Sequence, residues 1–187
     1  MTPEMPRRGW VLTRLIQLHE GIRGDVTLLR RVSAAVRDGD DPRAKAELRR
    51  LAGRGPAWTV QTFCVAFCNF VRGHHDTEDS IVFPLLLEHA GGQVDGIGHV
   101  IEKLKADHRV LAGHLNRAQE AVAALPGDAA TRSWAVRIVD DLGTHLAAHL
   151  DDEERRLGPA LDALSRAVPE HAVPSPTARY LHGYSPG

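Results

Sequence analysis

The sequence predicts an all-α fold, an up-down-up-down four-helix bundle, and three observations carry that prediction. Period-two alternation of apolar and polar residues is nearly absent, and aromatics make up only 5% of the 187 residues, which leaves little material for strands. Ala, Leu, Arg and Glu, which favour helices, dominate instead. Apolar residues recur at three- and four-residue steps in four long segments joined by short links, the pattern by which each helix of a bundle buries one stripe against its neighbours.

The first helix is predicted to start near Arg8 to Trp10 and run to about Arg37, with Leu12, Leu15, Ile16, His19, Ile22, Val26, Leu29 and Val36 recurring at helical spacing. The turn Asp38-Gly39-Asp40-Asp41 closes it. Asp41 before Pro42 reads as an N-cap with proline at the first helical position, so a short helix is expected over 42–51, and Gly53-Arg54-Gly55-Pro56 breaks it. The second long helix covers about Trp58 to His89 and stops at Gly91-Gly92. Pro84 lies inside it and removes a backbone hydrogen bond, so a bend is expected there. A third helix spans roughly Gly98 to Leu125, with Val100, Leu104, Leu111, Leu115 and Ala118 on one stripe, and Pro126-Gly127-Asp128 ends it. The fourth runs from about Ala129 to Leu157, with Ile138, Leu142, His145, His149 and Glu153 on one face and Pro159 marking a break before a last turn near Leu164. The helical domain is therefore expected over 8–166. Residues 167–187, with four prolines and no periodic pattern, read as a tail.

Composition excludes several classes. No uncharged apolar run approaches the roughly 20 residues that span a bilayer, and the stretch Met1 to Trp10 has no apolar signal region, so no membrane partner and a cytoplasmic address are expected. A net charge of −1 from 23 basic and 24 acidic residues gives no field to attract nucleic acid. The locally basic Arg43, Lys45, Arg49, Arg50 and Arg54 read as a solvated helix face. Only two cysteines occur, Cys64 and Cys68, so there is no disulfide framework, and their four-residue spacing on an apolar stripe reads as core packing. Nucleophile motifs, phosphate-binding glycine loops and cysteine-rich zinc spacings are missing.

Histidine is the anomaly: there are 11, where an average chain of this size holds on the order of four. Two segments use it identically. His74, Glu78 and Pro84 repeat at the same spacing as His149, Glu153 and Pro159, an alignment without gaps. Residues four apart on a helix share a face, so each segment offers one imidazole and one carboxylate to a single point in space. His75 and Asp79 form a second register with the same gap. The two prolines align only if His74 matches His149, which selects the His74 register and leaves Asp79 and Glu154 as flanking or exposed carboxylates. The first and third helices add one candidate each, His19 and His108, and Asp107 is placed either to orient His108 or on the surface. His89, His99, His114, His171 and His182 read as surface positions, and packing accounts for Trp10, Trp58 and Trp134.

The order His, His-x-x-x-Glu, His, His-x-x-x-Glu resembles the hemerythrin family, specifically the hemerythrin-like HHE cation-binding domains. His19 with its flanks, His74 through Pro84, Leu104 through Leu111 around His108, and His149 through Pro159 carry the resemblance, which covers about Trp10 to Leu164. It implies a bundle-centre site for two iron ions with an oxo or hydroxo bridge. Glu78 and Glu153 would bridge the ions, and His19, His74, His108 and His149 would be terminal ligands. Oxygen-carrying members have five histidines, with a His-x-x-x-His pair on the third helix. Here Ala112 stands four residues after His108. One imidazole fewer implies an open position at each metal, which His145 or a further side chain is left to fill. The resemblance thus implies binding or turnover of dioxygen, hydrogen peroxide or nitric oxide, including catalase-like peroxide disproportionation. The alternative is a sensor or iron-storage module without catalysis.

Overall fold

In the computed structural model the described residues are 9–38, 42, 46, 60–92, 94–125 and 127–170. Positions 42 and 46 are helical, but the rest of the short helix expected over 42–51 lies outside the described residues. So do the basic cluster from Arg43 to Arg54, Trp58 and the tail beyond Glu170. Among the described residues the architecture is all-helical: α1 (Trp10–Arg37), α2 (Val60–Thr77), a π-helical turn (Glu78–Val82), α3 (Phe83–Ala90), α4 (Ile97–Ala123) and α5 (Ala129–Ala167). The π-turn joins α2 and α3 into one rod, so four rods form the bundle. In the bundle α1 packs on α5 and α2, α4 packs on α5 and α2, and α3, the end of the second rod, also packs on α5. No helix among the described residues is long and apolar enough to cross a membrane.

The two prolines behave differently. Pro84 falls in the first turn of α3, directly after the π-turn, where the Phe83 amide reaches back five residues to the Glu78 carbonyl. That wider turn absorbs the hydrogen bond that proline cannot make. Pro159 does not break α5, contrary to expectation; the helix continues to Ala167. Proline removes only one backbone bond, and the turns beyond it are anchored on the start of α1. Asp162 accepts from the Gly9 amide at 2.7 Å, and the Ser165 hydroxyl accepts from the Val11 amide at 3.1 Å. Gly9 permits this contact, since a Cβ there would lie 2.4 Å from Ser165 Oγ.

Other ends are set locally. Gly96, with φ of 74°, occupies the left-handed region before α4, which glycine enters at no steric cost. Asp128 caps α5 by accepting from the Thr131 amide at 2.8 Å.

The predicted stripe of α1 is buried at Leu12, Leu15, His19, Ile22, Val26 and Leu29. On α4 the stripe is rotated slightly: Ile97 and Ile101 are buried with Leu104 and Leu111, while Val100 is half-buried. The core divides into two apolar layers. One contains Ile22, Val71, Leu111 and Leu146; the other contains Leu15, Val82, Leu104 and Leu157. Between them, on every rod, the buried positions are polar: His19, then His74, His75 and Glu78, then His108, then His149 and Glu153. Burying an apolar side chain contributes about 1.5–3 kcal/mol, so the layers above and below can carry the cost of this polar one.

Candidate metal centre

All six residues predicted as metal ligands converge in that layer, and a seventh joins them. His19, His74, Glu78 and Glu153 form one group of possible ligands, and His75, His108 and His149 form another. Within each group the donor atoms all lie within 4.8 Å of one another. Successive residues of an α-helix point about 100° apart, so His74 and His75 on the last turn of α2 face different groups.

The two glutamates connect the groups. Glu78 presents Oε1 to His74 Nε2 at 3.3 Å and Oε2 to His108 Nε2 at 3.7 Å, one oxygen toward each side. Glu153 Oε2 lies 3.6 Å from both His19 Nε2 and His149 Nε2. His19 Nε2 and His74 Nε2 are 3.1 Å apart. Two ligands held about 2.1 Å from one ion at right angles lie about 3.0 Å apart, so the observed spacings fit nitrogen and oxygen donors gathered around cations. The His108 ring stacks between His75, with centroids 4.1 Å apart, and Phe83, at 5.8 Å.

Protein groups leave these atoms unsatisfied. Both carboxylate oxygens of Glu78 and of Glu153, and Nε2 of His75, His108 and His149, are buried without a hydrogen-bond partner among the described residues. Such orphans each cost about 1–3 kcal/mol unless something fills the space between them. The donor set, imidazole and carboxylate, suits first-row transition ions.

Titration behaviour points the same way. Burial holds His75 down to about 2, His149 to about 3 and His108 to about 4, and holds His74 well below its ordinary value. His19 is also lowered by burial, an effect opposed by its hydrogen bond to Glu154. Burial raises Glu78 well above the carboxylate range, and the neighbouring Glu153 adds to it; Glu153 is raised by burial as well. Neutral imidazoles have free lone pairs for a cation, and a cation offsets the cost of ionising the two carboxyls.

Carboxylates flank the centre. Glu154 Oε1 accepts from His19 Nδ1 at 2.8 Å and from Arg23 Nη1 at 2.8 Å, and Asp79 Oδ1 accepts from His108 Nδ1 at 2.9 Å. The carboxylate bonded to His108 is thus Asp79 on a neighbouring rod, while Asp107, on His108's own helix, lines a surface groove.

One reading is corrected. With His75 the layer holds five imidazoles, so α2 offers a donor that the reading from Ala112 did not count; Asp79, the other member of the His75 register, bonds His108 Nδ1 and joins neither group. The repeat concealed this, because the position matching His75 is Leu150, a core residue. His145 fills no vacancy: it is exposed, donates from Nδ1 to the Asp141 carbonyl at 2.8 Å and stacks on the half-buried His114 at 4.2 Å. Cys64 and Cys68 are buried free thiols in the apolar layer, their sulfurs 3.9 Å apart. Trp134, expected to pack, is 38% exposed.

The family model described as the hemerythrin HHE cation binding domain matches residues 11–161, which takes in all four rods and every residue of the polar layer. No curated protein and no solved structure matches the chain.

Proposed function

Because this chain belongs to the hemerythrin HHE cation-binding family, we propose that its polar layer holds two iron ions and binds or turns over dioxygen, hydrogen peroxide or nitric oxide. The observation that carries this reading is the placement of the two glutamates: each faces nitrogen donors of both groups, as carboxylates that span two cations must. Iron, when bound, supplies one-electron redox chemistry and an acceptor for the donor atoms of a small ligand.

The chain's own residues set the conditions for that chemistry. His75, His108 and His149 offer three nitrogens on one side, and His19 and His74 offer two on the other. The side with one nitrogen fewer would leave its cation one more coordination position for a small ligand. The apolar layers above and below exclude bulk water and strengthen electrostatic interactions inside. An open groove of about 490 Å³ between α4 and α5, lined by Lys103, Asp107, Val110, Leu111, Ala148 and His149, brings solvent to the edge of the layer at His149, on the side of the three nitrogens. The cytoplasmic setting expected from the sequence would keep the buried Cys64 and Cys68 as thiols.

Anaerobic reconstitution with ferrous iron, followed by exposure to air, tests the reading. The expected result is two irons per chain and visible absorption bands of oxo-bridged ferric ions; a protein that retains only zinc, or one ion, would refute it. Peroxide added to the ferric protein separates enzyme from sensor or store: sustained gas release indicates catalase-like turnover, and a single stoichiometric bleaching indicates sensing.

A further inference from the structure

We propose that Asp79 and Glu154 are positioning residues, one for each group of ligands, which hold His108 and His19 in the orientation and tautomer that a cation requires. The inference rests on the metal reading above and deepens it. Each carboxylate immediately follows one of the spanning glutamates, Glu78-Asp79 and Glu153-Glu154. The step of about 100° between successive helical residues turns it away from the centre and toward the next rod. Glu154 on α5 therefore reaches His19 on α1, and Asp79 in the π-turn reaches His108 on α4. The same device appears once in each half of the repeat.

The geometry defines what the contacts do. With Nδ1–H donated outward at 2.8 and 2.9 Å, each ring turns Nε2, and its lone pair, inward. The side chains of His19 and His108 are 0% and 4% exposed, so bulk solvent is poorly placed to replace either carboxylate. The two supports are not equal. Glu154 is held in turn by Arg23, which also pairs with Asp151, whereas Asp79 stands at the surface in the field of Lys105 and Arg109. Losing Glu154 is therefore expected to cost more than losing Asp79.

Cobalt(II) titration of the full chain, followed by ligand-field bands and by NMR of paramagnetically shifted imidazole N–H resonances, tests the proposal. Wild type is expected to bind two cobalt ions and to show slowly exchanging N–H signals from His19 and His108. Glu154→Leu should weaken one ion by about 100-fold and remove the His19 signal; Asp79→Leu should weaken the other ion by about 10-fold and remove the His108 signal. Glu154→Gln, whose amide oxygen still accepts, should keep affinity within a few-fold. Circular dichroism of the metal-free variants checks folding, and Glu154→Ala and Asp79→Ala repeat the comparison with smaller side chains. Two cobalt ions bound with unchanged affinity and spectrum in both leucine variants would overturn the proposal. Failure of wild type to bind cobalt at all would overturn the metal reading before any variant is compared.

Discussion

His74 and His75 are neighbours in the chain, with ring centroids 5.4 Å apart, yet their imidazoles enter different groups of ligands. One joins His19, Glu78 and Glu153; the other joins His108 and His149. The two halves of the bundle repeat each other in His-x-x-x-Glu spacing and in the acid that follows, and they differ at His75, whose counterpart is Leu150. This single substitution within the repeat makes one side richer in nitrogen than the other.

Replacing His75 by leucine restores the symmetry of the repeat and is expected to leave two imidazoles on each side. One of the two cations should bind at least tenfold more weakly, with the other little changed, as read by cobalt titration and metal analysis. The metal-free variant should melt no lower than wild type, because an orphaned buried nitrogen worth about 1–3 kcal/mol is removed. Equal loss of both ions would show that His75 does not belong to one side.

The stability of the metal-free protein should peak near pH 6.5. A histidine whose folded pKa is lowered binds protons only in the unfolded chain as pH falls below 6.5, so it destabilises the fold there by up to about 1.4 kcal/mol per pH unit. Five imidazoles do this, including His75, His149 and His108, with folded values of about 2, 3 and 4. Glu78 and Glu153 have folded values raised above 4.5, so they favour folding at acid pH and oppose it as pH rises through and beyond 4.5. Below pH 6.5 the five histidines outweigh the two glutamates and stability falls as pH drops; above it the two glutamates act without the histidines and stability falls, less steeply, as pH rises. Urea midpoints in chelator from pH 5 to 8.5 check this, and a flat profile would contradict the burial of the layer.

Much of this architecture was legible because helical periodicity is a local signal: the stripe from Leu12 to Leu29 and the register of His74 with Glu78 depend only on residues a turn apart. What escaped was set by neighbours distant in sequence. Pro159 reads as a stop until Asp162 and Ser165 are seen capping the amides of Gly9 and Val11. His75 reads as an alternative to His74, because a spacing rule applied to one helix cannot show that two different partners, His19 and His108, approach from opposite sides. Asp107 is adjacent to His108 in sequence, yet Asp79 makes the bond, since side chains of consecutive helical residues point apart.

Glu78→Gln and Glu153→Gln should separate stability from binding. At pH 8 a buried carboxyl with a raised pKa must either hold its proton or ionise against burial, and a neutral amide of nearly the same shape avoids both costs. Each variant is expected to melt at or above the wild-type temperature when metal-free, and to lose at least one of the two cations. Calorimetry with and without cobalt distinguishes the two effects. Retention of both ions at wild-type affinity by both variants would exclude a spanning role for these carboxylates.

Cation binding should raise the melting temperature, and more so at higher pH. A ligand bound only by the folded state stabilises it by about 2.7 kcal/mol per site when its free concentration is a hundredfold above Kd, so two sites contribute on the order of 5 kcal/mol. For a chain of this length each kcal/mol moves the midpoint by about 2–4 °C, which gives a shift of roughly 10–20 °C. The sign of the pH effect follows from competition: protons and cations seek the same imidazole lone pairs and carboxylate oxygens, so the cation gains as protons leave. The metal-free protein weakens from pH 6.5 to 8 while the loaded protein does not, and the gap between them widens over that interval. Melting curves in chelator and in cobalt at pH 6, 7 and 8 measure that gap directly; a gap that closes toward pH 8 would mean that the ions bind outside the buried layer.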